Sequence, residues 1–330
     1  MIFMFQKSKL EATKLQINNG IRILFLGAGK RTSMAEQFKS AGQRLRIPVQ
    51  IFSFENELEV PIAEFAQIII GGSFSDDNTF SELVQIIEEK KIDILIPFHD
   101  SAVRIASVLN ELVFSPVSGR DAVEIFSNKK KTADFLRRNC FPTPNNAVKA
   151  PAIAKPVNGS SSIGIIRMDS DEQFSEFVLN KSFADFEVQE ICEGPELSVD
   201  GYVALNGNFS MFVPRVRQET INGEVLKSRT IRNSDVTTIC AEVCKIAKLS
   251  GALTFQFIWS KRAQAFLIME VNLRFGGGVL TSILAGVPWP EIVIRDYLGV
   301  EQGVYQYDDN FLMVRSYREF GFSMKDANFI

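Results

Sequence analysis

A carboxylate set in an apolar strand constrains this chain most. Thr254 to Gly278 reads TFQFIWSKRAQAFLIMEVNLRFGGG, two strand-like runs joined by a short polar loop. Phe255, Phe257 and Trp259 alternate with Thr254, Gln256 and Ile258; then Phe266 onward is almost wholly apolar until Glu270. Residues two apart on a strand share a face, so Glu270 and Asn272 project together, with Arg274 just beyond. A hairpin loop centred on Ala263 brings Gln256 opposite Glu270. A carboxylate, two amide oxygens and a guanidinium on one face suit a magnesium–polyphosphate site, because Mg²⁺ takes hard oxygen ligands and leaves positions for phosphates and water. The competing reading is a solvated hairpin face. An unpaired charge amid apolar neighbours is costly, which favours a site.

The rest of the chain narrows the classes. With 330 residues it can bury two or three cores, and 46% hydrophobic content fits a globular protein. A formal net charge of −3 gives no electrostatic case for a nucleic-acid or membrane-surface partner. Four cysteines without a C-x-x-C pair, and one histidine, argue against zinc. Cys240 and Cys244 are spaced for one helix face and read as core thiols in a reducing, cytoplasmic compartment. Met1 to Phe5 is too short an apolar run for a leader, and residues 1–20 read as a poorly ordered extension.

From Ile21 the pattern alternates strand and helix. Ile21–Leu26, Val49–Phe54, Gln67–Ile70 and Ile92–Pro97 are apolar runs, with helical patterns at Ser33–Leu45, Phe80–Lys90 and Ser101–Leu112. That order predicts a parallel, doubly wound, Rossmann-like sheet. Gly27-Ala28-Gly29 invites a dinucleotide reading, but Thr32 stands where the fingerprint needs Gly or Ala. His99 and Asp100 follow a parallel strand, where such sheets bind ligands; the alternatives are packing for His99 and helix capping for Asp100.

Farther on, Asn128 and three lysines precede a helix expected over Thr132–Asn139, after a short one at Asp121–Phe126. Positive charge at a helix start is electrostatically unhelpful and hints at an anionic ligand. Lys155 sits inside a strand, AIAKPV, where an ammonium needs a partner. The loop Asn158–Gly164 can offer backbone N–H groups to phosphate, yet it is no P-loop. Strands follow at Phe186–Ile191, Leu197–Leu205, Phe209–Val213 and Glu224–Ile231, with turns at Asn206-Gly207 and Asn222-Gly223. A helix is expected over Asp235–Leu249, then Val279–Ala285, Pro288–Tyr297 and a closing strand at Phe311–Tyr317.

Glu270-Val-Asn272-x-Arg274 resembles the E-x-N-x-R metal signature of the ATP-grasp superfamily, with Leu273 where most relatives have proline. Gln256 resembles the further metal ligand of carbamoyl-phosphate synthase large chains. In motif order, residues 20–320 resemble a stand-alone protein of that large-chain type. The resemblance implies an α/β Rossmann-like pre-ATP-grasp domain followed by a two-subdomain α+β ATP-grasp fold. Its divisions would be 1–20 (extension), 21–118 (Rossmann-like), 119–192 (lysine helix and phosphate flap) and 193–330 (metal site). It implies that Lys129 and Lys155 hold phosphates, and that Gly159, Ser160, Ser161 and Ser162 form the flap. Gln189, Glu190, Ile191 and Cys192 would be the adenine hinge and Glu196 the ribose carboxylate. Gln256, Glu270 and Asn272 would bind Mg²⁺, with Mn²⁺ as an alternative, while Arg274 and Arg217 act on the transferring phosphoryl group. Without the resemblance, Glu190 reads as a strand-edge charge, Glu196 as a turn residue and Arg217 as an exposed strand arginine.

The implied reaction is phosphorylation of a small carboxylate by ATP and attack of an amine on the acyl phosphate, releasing ADP and phosphate. The chain shows neither a second synthetase half nor a glutaminase, so carbamoyl phosphate is not the expected product. A homodimer stays open. The rivals are a non-catalytic ATP-binding protein of this fold and a nicotinamide-dependent oxidoreductase built on Gly27 to Gly29.

Overall fold

The computed structural model describes residues 20–159, 164–221 and 224–322; the expectations for residues 1–19, Ser160–Ser162 and the Asn222-Gly223 turn lie outside them. Three sheets organise the chain. The first has four strands in the order β3-β2-β1-β4: β1 (Ile21–Leu26), β2 (Val49–Glu55), β3 (Gln67–Ile70) and β4 (Ile94–Pro97). All pairs are parallel, with Ile23 beside Ile51 and Ile94. Alternate residues of β1 feed two cores. Ile21, Ile23 and Phe25 meet α1 (Thr32–Leu45), while Leu24 and Leu26 meet α2 (Thr79–Lys90) and α3 (Asp100–Leu109). Burial on both faces explains the unbroken apolar run.

Two short helices follow, α4 (Arg120–Phe126) and α5 (Lys129–Arg138). Then comes a three-stranded antiparallel sheet, β6-β5-β7: β5 (Ala152–Pro156), β6 (Ile166–Met168) and β7 (Phe186–Glu190). Phe174 and Phe177 of α6 (Asp171–Asn180) cover it.

The third sheet has six strands in the order β12-β11-β8-β9-β10-β13: β8 (Glu196–Val203), β9 (Ser210–Ile221), β10 (Glu224–Thr230), β11 (Gly251–Ser260), β12 (Ala265–Asn272) and β13 (Leu312–Val314). Leu197, Val199, Leu253, Phe255, Phe257 and Val271 line one face, closed by Val236, Cys240, Val243 and Cys244 of α7 (Ser234–Ala247) and by α3, α4 and α5. The opposite face carries Glu270, Gln256, Ser198 and Arg215 in one row, each beside the next across the strands. After β12 come α8 (Leu280–Leu284) and α9 (Trp289–Leu298); α9 supplies Trp289, Ile292 and Val293 to the α1 core, joining the six-stranded and parallel sheets.

Several expected boundaries move. The α5 helix begins at Lys129, three residues early, because the Asn128 side chain accepts from the Lys131 backbone N–H and caps it. The α3 helix ends at Leu109, not Leu112. The β9 strand does not stop at Val213 but runs through Pro214 to Ile221, since β10 pairs with it from Thr230 back to Glu224. The closing strand is only Leu312–Val314. Among the described residues no helix is long and apolar enough to cross a membrane.

A buried ion pair fixes the floor of the polar face. Asp200 accepts from Arg215 Nε at 2.9 Å and Nη2 at 3.1 Å, and from Ser282 Oγ at 2.8 Å. The Ser282 hydroxyl accepts in turn from Trp289 Nε1 at 2.8 Å. Both charged side chains are at most 2% exposed. Removing one partner of such a pair leaves an uncompensated buried charge. Asp200→Ala should therefore lower unfolding free energy by about 3–5 kcal/mol in urea titration. The double variant Asp200→Ala with Arg215→Met should recover much of the loss.

Candidate functional site

The hairpin β11–β12 turns on residues 261–264, and Ser260 pairs with Ala265. Continued without a break, that register sets Gln256 opposite Met269. Instead the register shifts between Gln256 and Phe257: Phe257 pairs with Ile268 and Gln256 with Glu270. Met269 is the extra residue of a β-bulge, and a bulge reverses which parity faces inward. Ile268 before it and Val271 and Leu273 after it are all core residues. Glu270 and Asn272 consequently leave the core and face the polar side with Gln256. Among the described residues, the side chains of Gln256 and Asn272 make no hydrogen bond, so their oxygens are free to ligate. The Thr254 hydroxyl, opposite Asn272, donates to the Arg274 carbonyl at 3.0 Å and pins the chain beyond the strand.

Two lysines approach from the small sheet and its helix. The Lys129 ammonium donates to the Gly159 carbonyl and stands 3.7 Å from Glu270 Oε1. Its backbone N–H donates to the Val157 carbonyl at 2.9 Å, tying the start of α5 to the end of β5. Lys155 is buried on β5, opposite Glu187. Burial pushes its pKa down and the Glu270 charge opposes this most strongly; Lys129 adds to the lowering. Cys192 and Glu187 also bear on Lys155, so the segment after β7, the two lysines and the β11–β12 hairpin share one space. Glu187 itself accepts from Arg137 Nη2 at 2.6 Å, yet burial still raises its carboxyl. The other lysines of the α5 run face outward: Lys130 donates to Phe183 O at 3.0 Å and Lys131 lies 3.7 Å from Glu124.

Arg274 points towards the parallel sheet. Its Nε and Nη2 donate to the two oxygens of Asp100 at 2.6 and 2.9 Å. Burial works to raise the Asp100 carboxyl, and Arg274 outweighs it, so the group sits below its ordinary value. Asp100 therefore does not cap its helix. His99 does, accepting from the Ser101 N–H at 3.4 Å, and it stacks on Phe74.

The Gly27 turn is closed. Glu55 Oε1 accepts from the Ala28 and Gly29 N–H groups at 2.9 Å and from Ser53 Oγ at 2.6 Å. Those amides are the donors a dinucleotide pyrophosphate needs, which removes the support for the oxidoreductase reading.

The remaining candidates lie on β7, β8 and β9 and in the segment between β7 and β8. Arg217 of β9 and Glu196 of β8 hold one another at 3.1 Å, three and two strands across from β12. Gln189 is buried in β7. Glu190 accepts from the Asn145 backbone and side chain at 3.0 and 2.9 Å and pairs with Arg262 at 3.0 Å. Ile191 and the Cys192 thiol, whose pKa burial raises, follow it part-exposed. Sequence reading passed over Arg31, Arg315 and Glu55. Arg31 and Glu55 carried one legible signal, their place at the carboxyl ends of parallel strands; Arg315 carried none. Among the described residues no three His, Cys, Asp or Glu side chains converge.

This arrangement is the ATP-grasp fold. Residues 182–319 match the family described as "ATP-grasp in the biosynthetic pathway with Ter operon". The biotin carboxylase domain of Hydrogenobacter thermophilus 2-oxoglutarate carboxylase, solved as a dimer with MgADP, ADP and bicarbonate, aligns with TM-score 0.71 at 16% identity, over 88% of this chain and 72% of that one. N5-carboxyaminoimidazole synthetase of Staphylococcus aureus, solved with ADP, gives 0.68 at 16%, over 89% and 80%. N5-carboxyaminoimidazole ribonucleotide synthetase of Thermus thermophilus gives 0.68 at 16%, over 88% and 82%. No curated protein matches the sequence. The expected kinship to carbamoyl-phosphate synthase does not appear among these neighbours.

The Lys155 environment gives a direct check. Its folded pKa lies below the ordinary lysine value, so the unfolded chain binds more protons in the window between them and stability rises with pH there. Glu270→Gln removes the main charge holding the proton on. NMR titration of ¹³C-methylated lysines should show Lys155 titrating at lower pH in that variant; an unchanged or higher midpoint contradicts the placement of Glu270.

Proposed function

We propose that the protein is a Mg-ATP-dependent ligase that phosphorylates a small carboxylate, releases ADP and joins the acyl group to an amine. The observation that carries this is the face shared by Glu270, Gln256 and Asn272, flanked by Lys129 and Lys155 on one side and Arg274 on the other. The neighbours solved with ADP or MgADP support ATP and Mg²⁺ as its cofactors.

The donor set fits Mg²⁺: hard oxygens, a single negative ligand, and room for phosphate oxygens to complete the shell. Held by Glu270, Gln256 and Asn272, the metal would supply positive charge that offsets the charge of the phosphates. The residues of this chain do the rest. Lys129 and Lys155 neutralise phosphate, and the low solvation of Lys155 strengthens that contact. Arg274, oriented by Asp100, faces the charge that builds on the transferring group. Catalysis here is positioning and charge neutralisation, so no protein nucleophile is needed. In this reading residues 21–118 line the acceptor side, 119–192 carry the lysines and the flap (Gly159 to Ser162), and 193–330 carry the metal. Gln189 to Cys192 serve adenine through backbone groups, and Glu196, paired with Arg217, serves the ribose. A homodimer fits the dimeric state of the Hydrogenobacter neighbour. The carbamoyl-phosphate synthase-like subtype and a cytoplasmic setting remain parts of this proposal.

Two measurements test it. Glu270→Gln should keep the fold and weaken Mg-dependent ATP binding by about tenfold or more in calorimetry; unchanged Mg²⁺ dependence removes Glu270 from the site. Incubation with ATP, Mg²⁺, a panel of small acids and hydroxylamine should give a hydroxamate and ADP. Release of AMP and pyrophosphate contradicts acyl-phosphate chemistry.

A further inference from the structure

Beyond Arg274, on the side of the parallel sheet, two more arginines converge. Arg31 follows the Gly27–Lys30 turn at the start of α1. A Cβ placed on Gly277 would lie 3.3 Å from Arg31 Nη1, so the guanidinium rests against that glycine. Arg315, just after β13, donates from Nη2 to the Gly277 carbonyl at 2.6 Å. Arg315 reaches this point on a segment pinned to the parallel-sheet half: the Arg318 guanidinium lies 5.5 Å over the Phe65 ring and 3.5 Å from Glu36.

The charges do not balance. Arg274 has Asp100, which engages two of its nitrogens. Arg315 has only Glu224, at 3.6 Å and itself largely solvated. The Arg31 side chain has no hydrogen bond and no ion pair among the described residues. Burial lowers its pKa to about 10, the charges of Arg274 and Arg315 add to that effect, and Glu224, shared with Arg315, opposes it only in part. A half-buried guanidinium crowded by two others is costly unless an anion is its counterpart. The charges that bear on Arg31 are those of Arg274, Arg315 and Glu224, and not those of Lys129 and Lys155, the lysines placed for the nucleotide phosphates.

Resting on the ligase reading above, we infer that Arg31 and Arg315 form a second anion subsite at Gly277, and that the acceptor is a small acid carrying a second oxyanion besides the carboxylate that reacts. The reacting carboxylate meets Arg274; the second group, a carboxylate or a phosphate, meets Arg31 and Arg315. Planar guanidinium groups suit both. Arg31 is then a specificity residue, retained at a cost to the stability of the free protein.

The test uses the full chain, with calorimetry and thermal melting. Probes are inorganic phosphate, a four-carbon dicarboxylate, the monocarboxylate of equal length and a phosphorylated hydroxy acid. The parent protein should bind a dianionic acid at least about tenfold tighter than the monocarboxylate, the worth of one charge-assisted contact. Arg31→Met should abolish that preference and melt no lower than the parent, since it removes a cation crowded by two others. Arg31→Lys should keep part of the preference. If Arg31→Met does not fold, Arg315→Met carries the same expectation for binding. A preference for the phosphorylated acid over the dicarboxylate identifies the second group as phosphate, and the reverse identifies a carboxylate. The inference is overturned if the parent shows no dianion preference, or if the preference survives in Arg31→Met and Arg315→Met. Mg-ATP stabilisation, measured in parallel, separates the two proposals. Dianion preference without a Mg-ATP effect keeps the subsite and removes the ligase; a Mg-ATP effect without the preference does the opposite.

Discussion

One extra residue, Met269, decides which side of the sheet Glu270 and Asn272 occupy. A strand has a period of two, so a single inserted residue exchanges its faces. Before the bulge, even-numbered Ile268 packs into the core; after it, odd-numbered Val271 and Leu273 do. Without it Glu270 would point into a cluster of Phe255, Phe257 and Leu253, where an unpaired carboxylate is not tolerated. The apolar spelling of β12 and the polarity of its exposed face are reconciled at that position. Everything proposed for the site, from metal ligands to the lysines gathered around them, depends on it.

The second constraint is a pair of ionic contacts at different depths. Asp200–Arg215 is enclosed and sets the floor of the polar face. Gly278 is part of that arrangement, since a Cβ there would lie 2.5 Å from Arg215 Nη1. Asp100–Arg274 is nearer the opening and links the parallel sheet to the end of β12 across 174 positions of sequence. It fixes the arginine in orientation as well as charge. A guanidinium free to rotate would lose part of its value towards a developing charge, because preorganised donors need no reorganisation at the moment of reaction.

Much of this was legible in the residues. The alternation of apolar runs gave the parallel sheet, and Glu270 in an apolar strand gave the polar face. The pairing of Gln256 with Glu270 was read correctly, although the loop spans 261–264 and the bulge supplies the missing step. What escaped reading was set by contacts distant in sequence. Asp100 stood open between a ligand contact and a helix cap, because its local surroundings fit both; its partner, Arg274, comes from the other end of the chain. The amides of the Gly27 turn looked available because nothing local shows that Glu55 takes them. The lysine run looked like a segment preceding a helix, since three cations oppose the helix dipole. Asn128 caps the helix, and each ammonium finds an oxygen outside it. Arg31 carried no mark in the sequence beyond its place after β1, and its significance is a charge imbalance visible only in three dimensions.

The central claim is that nucleotide and metal sit on the Glu270 face and not at the Gly27 turn. Backbone amide NMR of the full chain with ATP and Mn²⁺ in place of Mg²⁺ tests it most directly, because the paramagnetic ion broadens signals near its own position. The account predicts broadening centred on residues 254–256 and 270–272, with Gly27 to Gly29 left sharp. Broadening centred on Gly27 to Gly29, with the β11–β12 hairpin unaffected, would contradict it.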